Sequence, residues 1–264
     1  GSGYYLPTSS EQAVIILAST NIELFSDSEV IVGESFTFNG TLRDDMGNPL
    51  SATLSFSFGG KVIETIESDS SGYFDKTYLV PDESIAGPNT IMVTYIPDEF
   101  YLSSTSSWVL KVSHNIRIDL SDYTSMTNST EVISGFVFDK ANRPVSSLEV
   151  RLTLDSGFPQ IAKTNADGKF QIDLEIPFGT SLGYHNLTVE SLGNNYYIGN
   201  STTSKLFVQG QTFLTLDIPA SLEYKQDFTG TITLQMYDGS FVSGAPLLIS
   251  FEPLGMTTMV VTDF

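Results

Sequence analysis

Hydrophobic and polar residues alternate with a period of two along most of the chain. From Phe36 to Leu42, phenylalanine, glycine and leucine take every second position, and threonine and asparagine take the positions between. Such alternation is typical of an antiparallel strand with one buried and one solvated face. No window of about 11 residues has a convincing helical period. The pattern therefore predicts an all-β protein.

Turn sequences rich in glycine, aspartate, asparagine and serine separate the predicted strands. Asp69–Gly72 and Asn165–Gly168 are predicted hairpin turns, because glycine accepts a positive φ. The first complete set of strands lies near Ile22–Leu24, Phe36–Leu42, Thr53–Phe58, Val62–Ile66, Tyr73–Val80, Thr90–Tyr95 and Trp108–Val112. Seven short strands in about 96 residues predict an immunoglobulin-like Greek-key β-sandwich.

The pattern recurs along the chain. Three aromatic pairs lie 96 residues apart: Tyr4-Tyr5, Phe100-Tyr101 and Tyr196-Tyr197. Three glycines lie 95 residues apart: Gly40, Gly135 and Gly230. Many independent matches at nearly one offset indicate tandem copies of one domain.

This register divides the chain into four segments. Residues 1–17 are the end (strand G) of a preceding repeat or an N-terminal extension, and residues 18–114 and 115–210 are Ig-like domains. Residues 211–264 are the first half of a third Ig-like domain, with strands A to D. The joints Ser113–Asn115 and Gln209–Gln211 are short and lack the composition of a flexible linker. We therefore expect neighbouring repeats to be limited in their relative motion.

Composition excludes several classes of partner and site. The chain has 31 Asp and Glu against 12 Lys and Arg, a net charge of −19, so it repels nucleic acid and anionic lipid. It has no cysteine, which removes disulfides, thiolate metal sites and thiol nucleophiles. No run of 18 apolar residues is present, so a membrane would be reached only through flanking segments.

The sequence contains no recognisable catalytic motif. Nucleophilic catalysis needs a nucleophile beside a base, and the two histidines, His114 in a joint and His185 at a strand entry, belong to no motif. Both are predicted to be ordinary surface residues. We therefore predict that the chain is not an enzyme and needs no cofactor.

Calcium binding is the most specific function to consider for the acidic residues, because hard cations need several converging oxygens. No EF-hand spacing occurs, and we expect the acids to form turns and to keep the chain soluble instead. The acids concerned lie in predicted turns: Asp44-Asp45, Asp69, Asp82-Glu83, Asp98-Glu99 and Asp167.

Four Asn-x-Ser/Thr sequons are candidate N-glycosylation sites: Asn39, Asn128, Asn186 and Asn200. Strand alternation places Asn39 and Asn186 on outward faces, and Asn128 and Asn200 fall in predicted loops. All four positions are predicted to be exposed. A Lys–Asn isopeptide crosslink would need a lysine in an apolar setting, and none of the lysines has one.

Five motifs of the first repeat resemble the bacterial Ig-like group 3 repeats of large bacterial and archaeal surface proteins. They are the segments Phe38–Leu42, Gly47–Leu50, Asp69–Phe74, the glycine Gly87, and Asp98–Ser104. The second repeat departs from the pattern at two positions, Asn165 and Asn194, where the first has aspartate. The resemblance implies a surface-exposed, non-catalytic array.

Three functions are compatible with these features. The first is a spacer or stalk of an extracellular or cell-surface protein, for display or adhesion. Its partners are the neighbouring repeats, with other surface proteins or glycans as further candidates. The second is a subunit of an extracellular filament that strands from neighbouring chains complete. The third is an accessory module of a secreted enzyme.

Overall fold

The computed structural model describes residues 3, 9–221, 223, 225–252 and 255–263. Tyr4-Tyr5, the first of the three aromatic pairs, lies outside them. The all-β prediction is confirmed, and the described residues form nineteen strands. No helix in this part of the chain is long and apolar enough to cross a membrane.

The chain divides into two compact units that do not coincide with the sequence repeats. Unit 1 consists of Gly1–Arg117, Val137–Leu148 and Ser191–Asn200. Unit 2 consists of Ile118–Phe136, Glu149–Glu190 and Ser201–Phe264. Two short segments of the second sequence repeat therefore belong to unit 1.

The first repeat forms two sheets. Its strands are β1 (Thr20–Ser26), β2 (Glu29–Ile31), β3 (Ser35–Asp44), β4 (Thr53–Phe58), β5 (Lys61–Glu67), β6 (Tyr73–Leu79), β7 (Gly87–Tyr95) and β8 (Thr105–Leu120). One sheet has the order β1-β3-β6, and the other has the order β5-β4-β7-β8, with β2 parallel to β8. This crossing between sheets is the Greek-key arrangement of an immunoglobulin-like sandwich.

The seven predicted strands of this repeat each overlap a strand of the structure. The sequence pattern missed β2, because three residues are too few to display an alternation. It also predicted a joint at Ser113–Asn115, but these residues lie inside β8, which continues to Leu120. Residues 9–17 form no strand, and Val14, Ile15 and Ile16 are exposed.

The second repeat reproduces this topology. Its further strands are β9 (Tyr123–Met126), β10 (Ser129–Asp139), β11 (Glu149–Leu154), β12 (Gln160–Lys163), β13 (Lys169–Ile176), β14 (Gly183–Gly193) and β15 (Tyr197–Gln209). The order β12-β11-β14-β15 repeats β5-β4-β7-β8, and β9 runs parallel to β15 as β2 does to β8. The fold is a tandem array of Ig-like sandwiches.

A repeated glycine–phenylalanine contact accounts for the first two of the three equally spaced glycines, whereas a Cβ on Gly230 would lie 2.6 Å from Ile218. Gly40 is paired with Phe74 across β3 and β6, and a Cβ on Gly40 would lie 2.5 Å from the Phe74 ring. In the second repeat, a Cβ on Gly135 would lie equally close to the Phe170 ring. The rings therefore pack on bare backbone, which is why glycine recurs at this position.

The third repeat consists of two separate hairpins. Strands β16 (Thr212–Asp217) and β17 (Thr231–Met236) form one hairpin, and β18 (Pro246–Phe251) and β19 (Met256–Val261) form the other. Their apolar side chains are mostly exposed, and an open cavity of about 340 Å³ lies beside Phe228, Ile249 and Phe251.

Candidate functional site

The structure assembles a polar cluster in unit 2 around His185, which we call the His185 cluster. The Nδ1 atom of His185 lies 2.6 Å from Oδ2 of Asp155, and Nε2 lies 2.7 Å from the carbonyl oxygen of Ser181. The Ser181 hydroxyl is 3.4 Å from Nε2. The side chain of His185 is only 9% exposed, so the prediction that it is a surface residue was wrong. Strand alternation contained the signal, because an outward Asn186 requires an inward His185.

In this cluster a histidine lies between an aspartate and a serine, as in a catalytic triad, but its hydrogen bonds differ from those of a triad. A triad histidine needs an unprotonated Nε2 that accepts the serine proton. Here Nε2 faces a carbonyl oxygen, which can only accept, so Nε2 carries a proton and donates it. Nδ1 likewise donates to the Asp155 carboxylate. The geometry therefore favours a histidinium that is paired with Asp155, and it does not activate Ser181.

Electrostatics agree with this assignment. The hydrogen bond to Asp155 raises the pKa of His185, with a further contribution from the Ser181 carbonyl. The same bond, together with the Asn186 N–H donated to Asp155 Oδ1 at 2.9 Å, lowers the pKa of Asp155. Asp155 follows β11 in a left-handed conformation with φ of 48°. The turn after β11 thus holds the carboxylate under His185.

A second polar cluster, the His114 cluster, lies within unit 1. His114 is fully buried in β8, so its prediction as a surface residue in a joint was also wrong. Nε2 lies 2.9 Å from the carbonyl oxygen of Ser84, so it carries the proton of the neutral ring. Nδ1 lies 3.7 Å from Oδ2 of Asp139 and has no hydrogen-bond partner among the described residues. The ring of Tyr197 lies 6.3 Å away, centroid to centroid.

The charge of Asp139 is already compensated. Arg143 donates Nε–H to Asp139 Oδ2 at 2.8 Å, and two backbone N–H groups, those of Ala141 and Arg143, donate to Oδ1. The remaining guanidinium nitrogens of Arg143 donate to the carbonyl oxygens of Glu83 and Ser84. A proton on His114 would therefore add an uncompensated buried charge. Burial is the main cause that lowers the pKa of His114, and it outweighs the attraction of Asp139.

Three of the turn acids that suggested calcium, Asp44, Asp69 and Asp98, accept hydrogen bonds from the backbone of their own turns. Asp69 Oδ1 accepts the hydroxyl of Ser71 and the N–H groups of Ser71 and Tyr73, and the bond from the hydroxyl is the main cause that lowers the pKa of Asp69. Asn165, at the equivalent position, accepts two N–H groups in the same way. An amide oxygen serves this purpose as well as a carboxylate does, which explains why the second repeat has asparagine there. Among the described residues, no group of three or more acids and histidines could hold a metal.

The four sequons occupy different settings. Asn186 in β14 and Asn128 in the turn between β9 and β10 are exposed, as predicted, whereas Asn39 in β3 is half-buried. The prediction of a loop at Asn200 was wrong, because this residue lies in β15, where its Nδ2 donates to the carbonyl oxygen of Ile116. The residues between Tyr197 and Asn200 are exposed and do not alternate between apolar and polar, so the sequence did not predict a strand here.

Comparison with known proteins gives no family. No family model matches the chain, and no curated protein matches it. Among solved structures, a tetra-tandem repeat from the extending region of a large adhesion protein is 14% identical, with a TM-score of 0.40, and covers 93% of this chain. The ICAM-5 D1–D4 ectodomain fragment is 12% identical, with a TM-score of 0.41, over 92% of this chain and 74% of its own length. Escherichia coli alpha-2-macroglobulin is 12% identical, with a TM-score of 0.30, over 92% of this chain.

This chain spans 62% of the adhesion-protein repeat structure and 20% of the alpha-2-macroglobulin chain. All three TM-scores lie below 0.5, so the fold assignment depends on the strand pairing described above. The group 3 resemblance stays a prediction.

Proposed function

We propose that the chain is a non-catalytic spacer or stalk segment of an extracellular or cell-surface protein, of the bacterial Ig-like group 3 type, which serves display or adhesion. The acidic, cysteine-free composition and the absence of a catalytic motif support this proposal. The histidine of the His185 cluster is paired with a carboxylate rather than poised to activate a serine.

The observation that carries the proposal is a parallel strand pair in each complete repeat, which joins a short strand near the start of the repeat to its last strand. In the first repeat, β2 runs parallel to β8, with Glu29, Val30 and Ile31 opposite Lys111, Val112 and Ser113. The Lys111 N–H donates to Ser28 O, and the Val32 N–H donates to Ser113 O, both at 2.9 Å. The second repeat repeats this arrangement with β9 and β15.

Parallel pairing at this place determines how a repeat responds to tension. In the first repeat the chain passes through β1 before it reaches β2, and it leaves through β8. Tension that has reached β2 therefore pulls β2 and β8 in opposite directions along their length. All hydrogen bonds between them are then loaded together, and none can open before the others. This arrangement suits a segment that carries load between other parts of a protein.

Single-molecule stretching tests the proposal. We expect two discrete unfolding events from the complete repeats, each releasing about 30 nm of chain, since an extended residue spans about 3.5 Å. Lys111→Pro removes the N–H that bonds to Ser28 and should lower the force of one event. Lys111→Ala keeps that N–H and loses only the exposed ion pair with Glu29, so it should change the force little.

The proposal fails if the chain extends without discrete events. It also fails if Lys111→Pro unfolds at the force of the unchanged protein.

A further inference from the structure

N-glycosylation makes specific demands on an acceptor asparagine. The side-chain Nδ2 attacks C1 of an oligosaccharide that a lipid pyrophosphate carries, the C1–O bond to the pyrophosphate breaks, and Nδ2 loses one proton. In a folded protein the acceptor must therefore reach the transferase with its Nδ2 unengaged and its backbone accessible. The hydroxyl two residues later must be accessible as well.

Asn128 meets these demands. It lies in the two-residue turn between β9 and β10, it is exposed, and its φ of 57° is the left-handed conformation that asparagine tolerates best among residues with a side chain. In the described part of the chain, no residue hydrogen-bonds to its side-chain amide. Thr130, the hydroxyl residue of this sequon, is also exposed.

Asn200 is exposed, but it fails the demands for an unengaged Nδ2 and an accessible backbone. Its Nδ2 donates to the Ile116 carbonyl oxygen at 2.8 Å, and its backbone belongs to β15. Attachment of a sugar would disturb that hydrogen bond and place a bulky group against the strand that contains Ile116.

Asn39 and Asn186 lie in strands that are paired on both edges. Asn39 is half-buried in β3, between Phe25 of β1 and Asp75 of β6. Asn186 is exposed in β14, but its Oδ1 accepts a 2.6 Å bond from Lys205 Nζ and its N–H donates to Asp155. Its sequon hydroxyl, on Thr188, is bonded to Thr203. A transferase would have to open the sheet to reach either one.

From this comparison we propose that Asn128 is the N-glycan acceptor of the folded chain, and that the other three sequons are refractory once the sandwiches have formed. The inference does not depend on the spacer function. It concerns the chemistry of one turn.

A reconstituted transfer reaction tests the proposal. The folded chain is incubated with a purified oligosaccharyltransferase and a lipid-linked oligosaccharide, and site occupancy is measured over time by mass spectrometry of peptides. Asn128 should be modified at least about tenfold faster than Asn200, because opening the strand costs more than one hydrogen bond. Synthetic peptides that carry the four sequons should differ much less, since no fold protects them.

Two variants control for the turn. Thr130→Ala keeps Asn128 and its turn but removes the sequon hydroxyl, and it should abolish modification at this site. Asn200→Gln should leave the modification of Asn128 unchanged. Equal rates at Asn128 and any other sequon in the folded chain would overturn the proposal. So would a folded chain unmodified at Asn128 when the matching peptide is modified.

Discussion

The two histidines of the chain have opposite protonation preferences, although each has a carboxylate beside it and a carbonyl oxygen on Nε2. Burial lowers the pKa of His114, and the hydrogen bond to Asp155 raises the pKa of His185. The difference lies in the carboxylates. Asp139 is bound by Arg143, whereas Asp155 makes its shortest side-chain bond, at 2.6 Å, to His185 itself.

The comparison shows that the distance to an acid does not determine the charge of a buried histidine. What counts is whether that acid is still uncompensated. In the His114 cluster, Asp139 and Arg143 together are neutral, so a histidinium would be the excess charge in a fully buried site. In the His185 cluster, the histidinium is itself the compensating charge. The first cluster should therefore weaken in acid, and the second should weaken in base.

The largest effect should come from removing the carboxylate charge of the His114 cluster. Asp139→Asn leaves the Arg143 guanidinium without its counter-charge and turns an amide N–H₂ group toward it. We expect the free energy of unfolding to fall by about 2 kcal/mol, because Asp139 is buried while the Arg143 side chain is 39% exposed. Urea denaturation, followed by amide signals of unit 1, measures this loss.

Asp155→Asn is the matched control in the His185 cluster. Asp155 is about half exposed, and asparagine retains both the acceptor oxygen and the tolerance for a positive φ. Its cost should therefore be about 1 kcal/mol or less. Equal losses in the two variants would contradict the distinction between a compensated and an uncompensated carboxylate.

The second-largest effect should be a loss of stability of unit 1 in acid. Because the pKa of His114 is lower in the folded state, the unfolded chain takes up the proton first as the pH falls below about 6.5. The free energy of unfolding should then decrease by up to about 1.4 kcal/mol per pH unit until His114 is protonated in the folded state.

His114→Gln provides the test of this dependence. Glutamine can still donate to Ser84 O but does not titrate, so its stability should be flatter between pH 7 and pH 5 than that of the unchanged chain. The groups that face His114 are Asp139 and Arg143, with Asp82, which is paired with Lys140, farther away. If the variant keeps the full acid dependence, one of these groups and not His114 is responsible.

Both histidine environments were partly accessible from the sequence. The alternation that placed Asn186 outward also placed His185 inward, so its burial could have been predicted. Its partner could not, because Asp155 lies 30 residues earlier and reaches it only through the pairing of β11 with β14. For His114, the sequence predicted a joint, and nothing local indicates that Ser113–Asn115 continue β8 as one strand.

The repeat signatures were easier to interpret, since each reflects a local or a paired contact. The spacing of Gly40 and Gly135 predicted equivalent positions, and the structure supplies the reason in the rings of Phe74 and Phe170. The second repeat has asparagine at position 165, where the first repeat has Asp69, and this difference looked like a departure from the family pattern. It is neutral for the turn, because both side chains present the same acceptor oxygen.

A smaller effect is expected at the His185 cluster, where the stabilising contribution should be lost as the pH rises rather than as it falls. The folded-state pKa of His185 is raised, so its pairing with Asp155 contributes fully below about pH 6.5 and is lost as the pH rises through that raised value. His185→Gln should cost about 1 kcal/mol at pH 6, because the bond joins charged but partly exposed groups. The cost should shrink by pH 8 or above. A cost that grows with pH would show that His185 is neutral in the folded chain.

The smallest effect is expected from Ser181→Ala, which also separates structure from catalysis. The Ser181 hydroxyl is exposed and 3.4 Å from Nε2, beyond the usual range of a hydroxyl hydrogen bond, while the backbone carbonyl of the same residue lies at 2.7 Å. Alanine keeps that carbonyl. Stability should therefore change by no more than about 0.5 kcal/mol, and the pKa of His185, followed by NMR of its ring proton, should not move. If the variant instead lowered that pKa or abolished a measurable ester hydrolysis, the hydroxyl would be a working partner of His185, and the non-catalytic assignment would be wrong.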